Sequence, residues 1–250
     1  MASDIADLLE LSHDLGREDR HLAILGEGNT SVRLSPTQFA VKASGARLAD
    51  LEADDVTVCD TARLVALLDR KTLPDAEVEK ALLESRVDPT AKKPSIEAMF
   101  HAWLLTLDGV GFVGHCHPLH ANQILCSPRV RDFAEHRMFP DEIVCCGASS
   151  VYVPYADPGL PLAWQIRERT KDYLRDHGCV PKLIVLQNHG LIALGSTPKA
   201  VMACLLMAEK AAAIFAGAAA MGGPTFLLPQ HIERITNRPD EAYRQGQLGL

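Results

Sequence analysis

The sequence predicts a single α/β domain, and three observations predict it. Short apolar, β-prone runs recur along the chain, segments with apolar residues at helical spacing lie between them, and a long, nearly apolar stretch rich in alanine and leucine follows from Pro198 to Met221. At 250 residues and 47% hydrophobic, the chain is long enough for one large core. No linker-like boundary, repeat or low-complexity segment interrupts it, so 1–250 reads as one domain with a C-terminal tail from about 224 to 250.

From Asp4 to about Gly16, Ile5, Leu8, Leu9 and Leu15 are spaced for one face of a helix. Thr30 to Leu34 and Phe39 to Ala43 read as two strands around a Ser35-Pro36-Thr37-Gln38 turn, and Asp55 to Cys59 as a third. Asp75 to Arg86 is helical, and a polar connection leads to Pro94-Ser95. Ser95 is a natural N-cap for the apolar spacing of Ile96, Met99, Phe100, Trp103 and Leu104, which places Glu97 in the first helical turn. The reading continues as strand 110–117, helix 118–126, strands 143–146 and 150–154, helix 160–177, and strands 182–187 and 190–194. Thr197 then caps the long helix, whose Lys199, Glu209, Lys210 and Gly217 argue against a membrane span and for packing on the sheet.

No apolar run approaches the roughly 20 residues that span a bilayer, and the acidic start Met1-Ala2-Ser3-Asp4 lacks the basic and apolar regions of a signal peptide. A cytoplasmic protein is expected. Seven cysteines without framework spacing fit a reduced compartment, Cys145-Cys146 being apolar filling. A net charge of −7 and the absence of basic clusters interleaved with aromatics give no support to nucleic-acid binding.

The chemistry concentrates in three histidines. His115 and His117 are two apart at the end of a strand and so project from one face, with Cys116 pointing the other way. His189 ends another apolar run, Leu183-Ile184-Val185-Leu186, at a turn. Three imidazoles from two strand ends form a catalytic-type metal site, with positions left for water or substrate. Glu97 supplies a carboxylate suited to proton transfer, and His101, one turn on, either orients Glu97 or packs, with packing ranked first. The small-residue loops Gly26-Glu27-Gly28-Asn29-Thr30-Ser31 and Ser44-Gly45, with Ser95, offer N–H groups and hydroxyls to an anion. Lys42 and Arg33 read as solvated strand residues.

These segments occur in an order that resembles the class II aldolase/adducin family, its fuculose-phosphate and rhamnulose-phosphate aldolases in particular. The elements are Gly28-Asn29-Thr30-Ser31, Ala43-Ser44-Gly45, Lys93-Pro94-Ser95-Ile96-Glu97, His115-Cys116-His117-Pro118 and Asn188-His189-Gly190, and the likeness runs from about Leu8 into Asn237-Arg238-Pro239-Asp240. The resemblance implies a three-layer α/β/α domain around a mixed, mostly antiparallel sheet, often assembled as a homotetramer. It implies that His115, His117 and His189 bind a divalent cation, zinc above manganese, cobalt or iron, and that Glu97 is the acid/base group. It implies an anion held by Asn29, Thr30, Ser44, Gly45 and Ser95. A tyrosine protonates the leaving group in relatives, and Tyr155 is taken for that part ahead of Tyr152 and Tyr243. Ser95-Ile96 departs from the paired serines of phosphate-using members, so the substrate is a small molecule that carries phosphate or another anionic group, or none.

The expected reaction is retro-aldol cleavage of a hydroxylated ketose through a metal-stabilised enediolate. Decarboxylation of a keto or hydroxy acid, or epimerisation of a sugar phosphate, on the same site comes second. A non-enzymatic adducin-like scaffold comes last, because that branch lacks the full histidine set.

Overall fold

The computed structural model describes residues 2–248. Its centre is a seven-stranded sheet made of β1 (Asn29–Arg33), β2 (Gln38–Lys42), β3 (Val56–Asp60), β4 (Phe112–Cys116), β5 (Val151–Val153), β6 (Leu183–Leu186) and β7 (Gly190–Gly195). The strand order is β3-β2-β1-β4-β7-β6-β5, with every pair antiparallel except β5 and β6. This is the mixed, mostly antiparallel sheet that the family resemblance implied.

Each central strand is apolar on both sides, and its residues alternate between two cores. Phe112, Leu183, Val185, Leu191 and Ala193 face one, whereas Val113, Ile184, Leu186, Ile192 and Leu194 face the other. The first core is closed by α1 (Ala2–Leu15), α5 (Leu119–Leu125), α6 (Val130–Glu135), α7 (Pro140–Cys146) and α9 (Pro198–Ala220). The second is closed by α2 (Thr61–Leu67), α3 (Asp75–Glu84), α4 (Ala98–Leu104) and α8 (Leu160–His177). Three layers result. The tail adds α10 (Pro229–Thr236), which packs on α7, and α11 (Pro239–Leu248).

Four local readings are corrected. Residues 143–146 belong to α7 and form no strand: Pro140 at its start, Asp141 and Glu142 in its first turn and the Glu142 carboxylate accepting from Met138 N at 2.8 Å make a helix N-terminus, and α7 packs on α9, where Cys146 Sγ lies 3.5 Å from Cys204 O. Helix α4 begins at Ala98, so Glu97 occupies the cap position outside the first turn, and Ser95 Oγ accepts from Glu97 N at 3.2 Å. Lys42 is buried, with 3% exposure. By length and composition α9 is long and apolar enough to cross a membrane, contrary to the count of apolar runs; here Val201, Leu205, Ala208, Ala212 and Phe215 fill the first core.

A candidate metal and acid-base site

β4 ends at Cys116, and the chain leaves it through His117-Pro118 into α5. His115 is fully buried on the α4 side of the sheet, and Cys116 is buried on the other side among residues of the first core, as strand alternation requires. His189 lies in the turn of the β6–β7 hairpin, where Leu186 pairs with Gly190. That turn contains Asn188 at φ 55°, a left-handed conformation that asparagine tolerates. It is pinned by Gln187 N to Val153 O at 2.9 Å and Asn188 N to Leu125 O at 3.1 Å.

The three rings meet. Their centroids are 4.8, 5.0 and 5.0 Å apart, and one ligand atom from each lies within 4.8 Å of the others. His115 Nε2 and His117 Nε2 are 3.1 Å apart, close to the roughly 3.3 Å expected of two imidazoles sharing a tetrahedral ion with ~2.0–2.1 Å bonds. His115 Nδ1 lies 2.9 Å from Leu191 O, which requires the proton on Nδ1 and leaves the Nε2 lone pair facing the cluster. Burial lowers the pKa of His115 to about 3; burial, with His115 and His189 nearby, lowers that of His117 to about 4. Both rings are therefore neutral, as metal ligands must be.

Glu97 closes the group from the start of α4. One oxygen lies 3.5 Å from His115 Nε2 and the other 3.5 Å from His189 Nε2. Asn29 Nδ2 donates to Oε2 at 2.6 Å, whereas the buried Oε1 has no hydrogen-bond partner. A buried carboxylate oxygen is seldom left unpaired. Beside three imidazole lone pairs, that orphan is what a cation or a proton-bearing substrate atom would satisfy, so the donor set fits a divalent metal.

Behind Glu97 runs a chain of polar contacts. His101, fully buried and stacked on Phe100, bonds Asn29 Oδ1 through Nε2, and Ser31 Oγ lies 2.6 Å from its Nδ1. Asn29 must turn its NH₂ to the carboxylate, so His101 donates from Nε2 and Ser31 donates to Nδ1. Burial keeps His101 neutral. His101 therefore does more than pack: it holds the carboxamide that holds Glu97. The sequence placed Ser31 only within an anion-binding loop and gave no sign of its contact with His101, although it alternates with Asn29 on the same face of β1.

The expected anion-binding residues divide. Ser44 N donates to Lys93 O at 2.8 Å and Ser95 N to Lys42 O at 3.2 Å, which sets the Ser44-Gly45 turn beside Ser95 and the Glu97 backbone. Lys42 Nζ ties that turn to the preceding loop, donating to Ala46 O at 2.7 Å and Gly26 O at 3.4 Å, and burial lowers its pKa. Asn29 joins the cluster through Glu97. Thr30 does not, because its hydroxyl is on the opposite face, 2.6 Å from Ser12 Oγ of α1. Tyr155 is 57% exposed in the turn after β5 and donates to Asp157 Oδ1 at 3.0 Å, outside the histidine group. Tyr152 bonds Gln187, and Tyr243 is exposed on α11. Arg33 is an exposed residue at the end of β1.

Residues 6–216 match the model of the class II aldolase and adducin N-terminal domain. The chain belongs to this family. Class II aldolase superfamily members include aldolases, epimerases and decarboxylases, and its aldolases use a divalent metal. Among curated proteins, this class II aldolase-family chain is 28% identical over 201 residues to the uncharacterized oxidoreductase YuxG of Bacillus subtilis (strain 168), covering 77% of this chain and 27% of that protein. The chain thus spans about a quarter of that relative's length. Its fold is similar to an L-fuculose 1-phosphate aldolase, with TM-score 0.71, 17% identity and coverage of 98% of this chain and 97% of that one. It is also similar to the N-terminal class II aldolase domain of a conserved protein from Thermoplasma acidophilum, with TM-score 0.68, 24% identity and coverage of 86% and 95%.

Proposed function

We propose that this chain is a metal-dependent carbon–carbon lyase that cleaves a hydroxylated ketose, phosphorylated or free, by a retro-aldol reaction. The observation that carries the reading is the meeting of His115, His117 and His189 beside the Glu97 carboxylate, whose Oε1 makes no hydrogen bond. A bound divalent ion, zinc before manganese, cobalt or iron, would supply a Lewis acid for the charge that develops on the substrate oxygens as the bond breaks. The three histidines would hold it through Nε2 of His115 and His117 and a ring nitrogen of His189.

The remaining work belongs to the protein. Glu97 takes a proton from the substrate and returns it, and Asn29 fixes which oxygen is free to do so: Oε2 accepts the carboxamide N–H, and Oε1, 3.5 Å from His189 Nε2, makes no hydrogen bond. His101 and Ser31 keep Asn29 in that orientation. The anionic end of a phosphorylated substrate is assigned to the Ser44-Gly45 turn and Ser95, where Lys42 links the surrounding loops.

The test is a product assay. Metal-loaded protein is incubated with a panel of ketose phosphates and free ketoses, and separately with keto acids. Aldehyde release without carbon dioxide supports retro-aldol cleavage; carbon dioxide from a keto acid, with no aldehyde from any ketose, overturns it.

A further inference from the structure

His117 has a second nitrogen that the cluster does not use. Nε2 faces His115 at 3.1 Å, which turns Nδ1 outward, and there Glu27 Oε1 lies 3.7 Å away. The other carboxylate oxygen of Glu27 accepts from Ile24 N at 3.0 Å, while Glu27 N donates to Ile24 O at 3.0 Å and closes the turn. On its far side stands Gly28 at φ 72°, where a Cβ would meet His115 O at 2.6 Å. Residue 27 is thus fixed between a closed turn and a glycine pressed against β4. Its half-exposed carboxylate stands at the edge of the His117 ring, with one oxygen held by Ile24 N.

We propose that Glu27 is the positioning residue for His117: its carboxylate accepts the Nδ1–H, sets the tautomer that presents Nε2, and tightens the cation site. This rests on the reading of the three histidines as a metal site. An imidazole ligand characteristically donates its second N–H to a carboxylate or carbonyl, which fixes ring and tautomer and raises its basicity. His115 has such a partner in Leu191 O. Glu27 is the matching partner for His117, and it brings a full negative charge next to a site that binds a dication. The 3.7 Å separation exceeds a usual N–H···O distance by about 0.7 Å, a gap closed by a small rotation of the half-exposed side chain or by one water. Glu27 is not itself a ligand in this arrangement, because it meets the ring at the nitrogen opposite the cluster.

The carboxylate serves two donors, Ile24 N–H and His117 Nδ1–H, with two oxygens. An amide has one acceptor oxygen and serves only one of them. The experiment therefore compares the full-length wild type with Glu27→Gln and Glu27→Ala, titrating zinc against a chromophoric chelator and melting the metal-free proteins. Zinc affinity is expected to fall by about 10–100-fold in Glu27→Ala and by a smaller factor in Glu27→Gln, with metal-free melting temperatures close to wild type. If Glu27 only tethers the turn, both variants melt lower when metal-free yet bind zinc within twofold of wild type, and the proposal is overturned. If the wild type itself takes up no zinc or other divalent ion, the metal reading fails and this inference with it. If the wild type binds and the variants bind as tightly, only this inference fails.

Discussion

Adding one methyl group at residue 190 is the smallest change that should dismantle the histidine cluster. Gly190 follows His189 directly, and an ideal Cβ there lies 2.4 Å from Cys116 O, 2.7 Å from His117 Cδ2 and 3.2 Å from His115 Cε1. Carbon atoms rest about 3.5–4.0 Å apart, so the His117 ring must withdraw by roughly 0.8 Å or more. The carbonyl belongs to a paired strand and yields no more cheaply. Ligand distances in metal sites hold to about ±0.2 Å, so such a displacement takes His117 out of bonding range or strains whatever bond survives. Residual strain of 1.4 kcal/mol alone is about tenfold in affinity. Overpacking adds roughly 1–3 kcal/mol of destabilisation, at about 2–4 °C of Tm per kcal/mol in a chain of this size. Gly190→Ala is therefore predicted to lose at least about tenfold in zinc affinity and several degrees in Tm, read by chelator competition and by thermal melting of the metal-free protein. A variant that binds zinc within twofold of wild type and melts within a degree of it would refute the packing argument and the placement of His117.

Glu97→Gln should keep bound metal but lose about 100-fold or more in turnover, because the amide cannot take up the proton; near-normal turnover of the metal-loaded variant removes Glu97 from the chemistry. Ser31→Ala leaves His101 Nδ1 buried without a donor, and about 1–3 kcal/mol of stability should go with it, together with a fall in kcat as Asn29 loosens its hold on Glu97. Unchanged melting and unchanged kcat would dissolve the proposed relay. Glu209→Ala removes the carboxylate of α9 that accepts from His120 N and Ala121 N, each at 3.0 Å, at the start of α5 just beyond His117-Pro118. A loss of about 1.5–3 kcal/mol in chemical denaturation is expected, and none would show that α5 does not need this cap.

Most strands were legible as short apolar runs, and the histidine pair on β4 through the two-residue period of a strand. Alternation put His115 and His117 on one face and Cys116 on the other, while short apolar runs marked strands at 182–187 and 190–194, which the structure gives as Leu183–Leu186 and Gly190–Gly195. The same rule, applied consistently, excludes Thr30 from a site that contains Asn29, since neighbours on β1 face opposite layers. Residues 143–146 misled because Ile143 and Val144 are β-branched; the decisive signals were Pro140 and the two acidic residues after it. The contacts of Ser31 with His101 and of Lys42 with Ala46 and Gly26 depend on how β1, α4 and the loops pack together, and no local periodicity encodes that. Burial of Lys42 followed from the same packing.

The proposed function rests on three imidazoles holding a divalent cation beside Glu97, on which bond cleavage depends. Elemental analysis of the purified wild type beside His117→Ala, each also assayed after chelation and after adding metal back, tests it most directly. About one divalent ion per wild-type chain is expected, with loss of activity in the chelator, recovery on re-addition, and little metal or activity in His117→Ala. Full metal occupancy in the variant, or activity unaffected by the chelator, would contradict it.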